Sequence, residues 1–149
     1  MYASPFQPRR AAATAGLYRE VGVQTGIESA TPHRLVAMLY DGLLEALARA
    51  RGALQTGQVD IKCRAMTQAI RIVEEGLLPG LDPQAGGEVA TNLRDLYRYI
   101  SMRLTQANLR NDEALIVECV NLIEPVRDAW KAIGASADAP APTAQKVSA

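Results

Sequence analysis

Along four stretches of the chain apolar residues return at three- and four-residue steps, and Gly, Pro, Asn and Asp separate the stretches. The first stretch, TPHRLVAMLYDGLLEAL and onward, opens with Thr31 as a cap and Pro32 at the first helical position, and predicts a helix over 32–55 that Thr56-Gly57 ends. Leu35, Leu39, Gly42, Leu43, Ala46 and Ala50 form its core row. A second apolar row, Val36, Tyr40, Leu44 and Leu47, lies well off that face; at about 100° per residue, Leu44 sits nearly opposite Leu35. A helix with one apolar face belongs to a core, and one with a second apolar row has something else to cover.

The same reading gives a second helix from about 58 to just before Pro79, with Val59, Cys63, Met66, Ile70, Val73 and Leu77 inward and Ile61 and Ile72 off the row. LPGLDPQAGG is a connection. The third helix runs over about 88–109, its core row Val89, Leu93, Leu96, Tyr97, Ile100, Leu104 and Ala107, with Tyr99 and Met102 off it. Asn111-Asp112 makes a turn and a cap, and the fourth helix covers about 113–133, with Ile116, Cys119, Val120, Ile123, Val126 and Trp130 inward. Pro125 falls inside it; a proline there costs about 3 kcal/mol if nothing relaxes, and in-phase rows on both sides predict a kink rather than a break. Helices of this length span roughly 30 Å, and short loops make neighbours antiparallel. The fold class expected is all-α: an antiparallel up-down-up-down four-helix bundle over 31–134, preceded by a short docked segment.

The ends differ from this body. Residues 1–16 have no sustained period, and the Ala, Pro, Ser and Thr of 135–149 have none either, so both are expected to be disordered. Residues 17–30 place Leu17, Tyr18, Val21 and Val23 among Gly22 and Gly26, which suits a short segment docked on a surface, because an isolated helix that short is marginal in water.

Composition narrows the function. The 149 residues carry sixteen basic and sixteen acidic side chains, a formal charge of zero, which argues against a general nucleic-acid or anionic-membrane surface. The start lacks the apolar core of a signal peptide and no run approaches a membrane span, so a cytoplasmic protein without membrane insertion is expected. Cys63 and Cys119 lie on apolar rows without CxxC spacing and read as packed thiols. His33 is the only histidine and reads as solvated; no Glu-x-x-His motif, phosphate loop or supported metal spacing occurs, and Asp41 and Glu45, one turn apart, read as surface carboxylates. Neither an enzyme nor a cofactor is expected. Tyr97 reads as core with its hydroxyl at the rim, and Tyr40 and Tyr99 as interface. Off-core rows on three helices would make grooves for amphipathic helices of a partner that folds on binding. The alternative is a homodimeric structural bundle that buries the rows against its own copy, and a weak homodimer stands beside the partner complex.

TPHRLVAMLYDG, LYRYISMRLTQANLRND and VRDAW, with LYREVGVQT upstream, occur in the order and spacing of the FliS-type flagellar export chaperones, and the chain resembles that family over about 17–133. Pro125 is the least expected feature against that pattern. The resemblance implies a chaperone that binds the disordered C-terminal region of newly made flagellin, keeps it from polymerising, and is recognised with its cargo by the flagellar export gate. It implies that the N-terminal tyrosine segment, with Tyr18 at the matching position, occupies part of the binding surface in the free protein. The flagellin-binding residues expected are then Tyr18, Val36, Tyr40, Leu44, Leu47, Ile61, Ile72, Tyr99 and Met102.

Overall fold

A computed structural model describes residues 31–137. The expectations for 1–16, for 17–30 with Tyr18, and for most of the C-terminal tail lie outside the described residues. Within them the chain is helical throughout its long elements: α1 Pro32–Gln55, α2 Val59–Arg71, α3 Pro83–Arg110 and α4 Glu113–Ala137. Thr31 caps α1 by accepting from the Arg34 N–H at 3.1 Å, and Pro32 occupies the first turn as its missing donor permits. Asn111 turns the chain in the left-handed region after α3, and the Asp112 carboxylate then accepts from the Ala114 N–H at 3.0 Å. These are the turn and cap the sequence predicts.

Cross-helix pairs give the topology. His33 lies against Trp130 and Arg51 against Glu113, so α1 and α4 run antiparallel. Arg49 donates to Gln68, Lys62 to Asn108 and Arg103 to Glu118, which joins α1 to α2, α2 to α3 and α3 to α4 in the same sense. The result is the expected up-down-up-down four-helix bundle. Tyr40 and Tyr97 span the α1–α3 diagonal, their buried hydroxyls hydrogen-bonded to each other in the middle of the core.

Several placements correct the sequence reading. Val36, Tyr40 and Leu47 belong to the core, not to an outer row. α1 packs on α2 on one flank, on α4 on the other and on the segment after α2, Ile72–Leu77, besides, so a wide apolar arc is covered. Leu44, at the margin of that arc, is half-buried. Ile72 is also buried, for a different reason. After Arg71 the chain leaves α-geometry for a π-helical segment, Ile72–Leu77, followed by a single turn, Leu78–Gly80. The Leu78 N–H reaches the Val73 carbonyl, a wider turn that takes up an extra residue after Ile72, which itself continues the buried α2 row of Ala65 and Ala69. Conversely, Val59 and Val89, expected inward, are each 56% exposed, and Cys63 is half-buried.

The Tyr97 hydroxyl is interior rather than at the rim. His33 is not solvated: it is half-buried, its ring stacked on Trp130 with centroids 4.1 Å apart, while the Trp130 indole N–H donates to the His33 carbonyl at 2.8 Å. α4 passes through Pro125 without a break and extends to Ala137, beyond the expected end at 133. Asn121, whose carbonyl loses its α-helical donor to the proline, is exposed, so that carbonyl is not left in the core. α3 starts earlier than expected, at Pro83 behind an Asp82 cap, but it is bent at Gly87, whose φ of 56° and ψ of −129° are non-helical; the regular helix beyond begins at the residue predicted, Glu88.

Candidate functional site

Four buried side chains leave the candidate set thinner and better defined. Among the described candidates, Ile61 is 40%, Tyr99 37% and Met102 49% exposed, and Leu44 is half-buried. Val59, Val89, Leu109 and Ile133 join them as exposed large apolar side chains that the sequence reading either placed inward or passed over. These positions do not converge on one pocket. They distribute over the α1–α2 turn, the outer face of α3 and the bundle ends.

A concavity lies between the chain that follows α2, residues 72–82, and α3. Two adjoining cavities, of about 350 Å³ and about 410 Å³, share Leu78 and Arg98 and so form one groove. The first is walled by Pro79 and Leu81 on the connection and by Pro83, Ala90 and Arg94 on α3. The second continues past Met102 and Thr105, with Glu74 on the opposite wall. The π segment makes this groove: it carries Leu77 into the core while leaving Leu78 half-buried at the lip. The bend at Gly87 completes it by turning Pro83 and its neighbours away from the regular part of α3. A separate shallow ledge at the α1–α2 turn contains Val59, Ile61 and Arg64.

Tyr99 belongs to the neighbouring face. Its hydroxyl donates to the Glu118 carboxylate, and the Arg103 guanidinium, 5.7 Å above its ring, donates to the same carboxylate at 2.9 Å. The tyrosine hydrogen bond foremost, then that of Arg103, holds Glu118 below the usual carboxylate range, and the same bond raises the phenol. The ring of Tyr99 thus stays half-exposed in a fixed orientation, an apolar plate with its polar tip already satisfied.

The chemistry elsewhere is that of a scaffold. Burial above all pushes the Cys119 thiol up to about 12, so it is an inert core group. Burial, then the neighbouring Tyr40, raises the Tyr97 phenol well above its ordinary value. Lys62 is only 3% exposed and donates to the Asn108 carbonyl at 2.9 Å and its side-chain oxygen at 2.7 Å, closing the end of α3. The signal for it was present: Lys62 shares a row with Met66, Ala69 and Val73, the row that is buried. A polar cleft between the start of α1 and the end of α4, lined by His33, Asp41 and Lys131, is occupied by the Asp41–Lys131 ion pair at 2.9 Å. Among the described residues no group of three or more His, Cys, Asp or Glu side chains is placed to hold a metal ion, and no helix is long and apolar enough to cross a membrane.

Residues 14–137 match the family model of the flagellar protein FliS. The chain is 48% identical over 120 residues to the flagellar secretion chaperone FliS of Salmonella typhimurium, covering 80% of this chain and 89% of that protein. It is 41% identical over 114 residues to the flagellar secretion chaperone FliS of Escherichia coli, covering 76% and 84%. To the flagellar secretion chaperone FliSB of Pseudomonas aeruginosa it is 40% identical over 116 residues, covering 78% and 91%.

Proposed function

The chain belongs to the FliS family of flagellar proteins, and on that premise we propose that it is a cytoplasmic chaperone of flagellin. It binds the C-terminal region of flagellin while that region is unfolded, prevents premature polymerisation, and hands the complex to the flagellar export apparatus. The observation that carries this reading is the distribution of exposed apolar side chains. Ile61 stands at the α1–α2 turn and Tyr99 and Met102 on the outer side of α3, on a bundle whose core is otherwise complete. Separate shallow apolar sites suit a segment that wraps, whereas one deep pocket suits a compact ligand.

The proposed contacts are Leu44, Ile61, Tyr99 and Met102, with Tyr18 as a further one from the N-terminal segment. Val36, Tyr40, Leu47 and Ile72 support that surface from beneath, because they are buried in the free chain. The energetics require several sites at once. Burying one such side chain is worth about 1.5–3 kcal/mol, and ordering a disordered segment costs about 2–5 kcal/mol or more. One contact therefore holds nothing, and three or four hold a partner reversibly, as a cargo that must later be released demands.

The test is titration calorimetry of the full chain with a C-terminal fragment of the flagellin from the same organism, paired with a polymerisation assay. The expected result is a saturable complex and a delay in filament growth at equimolar chaperone. Failure to bind the fragment, or filament growth at the unprotected rate, overturns the reading.

A further inference from the structure

Tyr99 is 37% exposed, whereas Tyr40 and Tyr97, the other tyrosines among the described residues, are fully buried. Its ring is nonetheless held from two helices. The hydroxyl donates to one carboxylate oxygen of Glu118 on α4, and Arg103 on α3 donates to the other at 2.9 Å. Arg103 also donates to Gln106 at 3.1 Å, and its guanidinium lies over one face of the ring, 5.7 Å from the centroid. The polar tip and one face are thus committed within the chain, and the remaining ring surface meets solvent. Met102, on the same side of α3, is more exposed still, and its flexible thioether chain has no strong polar group by which a neighbour could hold it.

Fixing an exposed ring does little for the fold. Arg103 and Glu118 keep 29% and 34% of their side chains in solvent, where an ion pair contributes little to stability. The ring surface that the network leaves open buries nothing in the free chain. What the network removes is conformational freedom that Tyr99 would otherwise lose when a partner covers it. A tip already hydrogen-bonded also asks nothing of the partner, so an apolar side chain can cover the ring without stranding a polar atom. We propose that Glu118 is a positioning residue for cargo binding: through the Tyr99 hydroxyl, with Arg103 as a brace, it holds the ring as a preformed platform on the α3–α4 face for an apolar side chain of the flagellin segment. The proposal rests on the flagellin-chaperone reading and adds to it which contact is preorganised and by which groups. Tyr99 is then the rigid anchor of the contact set, and Met102 adapts beside it.

The experiment is titration calorimetry of the full chain and its variants with the C-terminal flagellin fragment, paired with NMR relaxation of the Tyr99 ring in the free chain. Glu118→Ala should bind about three- to tenfold more weakly, the effect of one more side chain to be ordered on binding. Tyr99→Phe keeps the ring without its tether and should lose about as much. The double variant should lose no more than the larger single loss, because both changes cut the same hydrogen bond. Glu118→Gln keeps an acceptor oxygen for the phenol and should return towards the wild type. The Tyr99 ring should be ordered in the wild type and in Glu118→Gln and more mobile in Glu118→Ala, with backbone order unchanged. Losses that add would make Glu118 a direct contact and overturn the proposal. An affinity that neither single variant changes, or a ring equally ordered with and without the carboxylate, overturns it as well. If Glu118→Ala does not fold, Tyr99→Phe decides alone, and its binding as tightly as the wild type overturns the proposal. Each of these outcomes leaves the chaperone reading standing, whereas failure of the wild type to bind the fragment overturns both.

Discussion

Tyr40 shows how far one side chain's role depends on what covers it. Its position on α1, off the row of Leu35, Leu39 and Leu43, is that of an interface tyrosine, yet it is fully buried with its hydroxyl against that of Tyr97. The pair ties the α1–α3 diagonal, and neither ring's polar tip reaches water. Replacing Tyr40 by Phe deprives the Tyr97 hydroxyl of its partner inside the core, which costs about 1–3 kcal/mol. The double variant Tyr40→Phe, Tyr97→Phe removes donor and acceptor together, so urea unfolding should show it losing less than the two single losses added. Strict additivity would mean that the hydroxyls do not act as a pair. Tyr40→Asp, by contrast, should not fold, because it buries a charge. Gly134 makes a second point at this scale. A Cβ there would overlap the His33 imidazole, so Gly134→Ala must shift that ring from its place on Trp130. The expected outcome is a changed near-ultraviolet circular dichroism spectrum and a lower Tm, and an unchanged Trp130 signal would sink it.

Helices rather than residues carry the ends of the bundle together, and two carboxylates on α4 do this. Glu113 takes bonds from Gln55 at 2.8 Å and Arg51 at 3.1 Å on α1, and Glu118 takes them from Tyr99 and Arg103 on α3. Gln55, then Arg51, lowers Glu113 from the usual carboxylate range, as Tyr99 and Arg103 lower Glu118. A folded-state pKa below the unfolded one contributes stability above the ordinary carboxylate range and loses it as pH falls through the folded value. Acid destabilisation should therefore set in as pH falls through the ordinary carboxylate range and be complete below the folded values, and Tyr99→Phe should raise the Glu118 titration midpoint seen by NMR, since it removes the larger cause. Both carboxylates are partly exposed, so the effect on stability is modest and salt-sensitive. The bend at Gly87 belongs to the same scale: its φ of 56° with ψ of −129° is strained for any L residue, and Gly87→Ala should lower Tm and reshape the groove beside Pro83. An unchanged Tm there would show that the bend relaxes freely.

At the scale of the whole molecule, the four helices and their order were legible because Thr31, Pro32, Gly57, Asn111 and Asp112 punctuate rows that keep their phase. The division of those rows into core and groove was not. It assumed one narrow buried stripe per helix, whereas α1 is flanked on both sides and α2 changes its winding at Ile72, which no local residue pattern announces. The alanines of α2 were undervalued: Ala65 and Ala69, left out of its expected core row, are as buried as Ala46 and Ala50, which the α1 row did include, and small side chains there permit close approach of the two helices. What remains outside the core is a set of modest apolar sites on different faces, and this arrangement makes a prediction about the complex as a whole. If the cargo wraps and folds, mixing the chain with the flagellin fragment should raise far-ultraviolet helical ellipticity above the sum of the two components, and calorimetry should show a large negative heat-capacity change, as burial of about 1,000–3,000 Å² gives in coupled folding. Ile61→Asp at the α1–α2 ledge and Met102→Asp in the groove lie on separate sites, so each should weaken binding by part and the two losses should add. A complex formed without gain of helix, or one that either substitution alone abolishes, would show instead that a preformed partner docks at a single place.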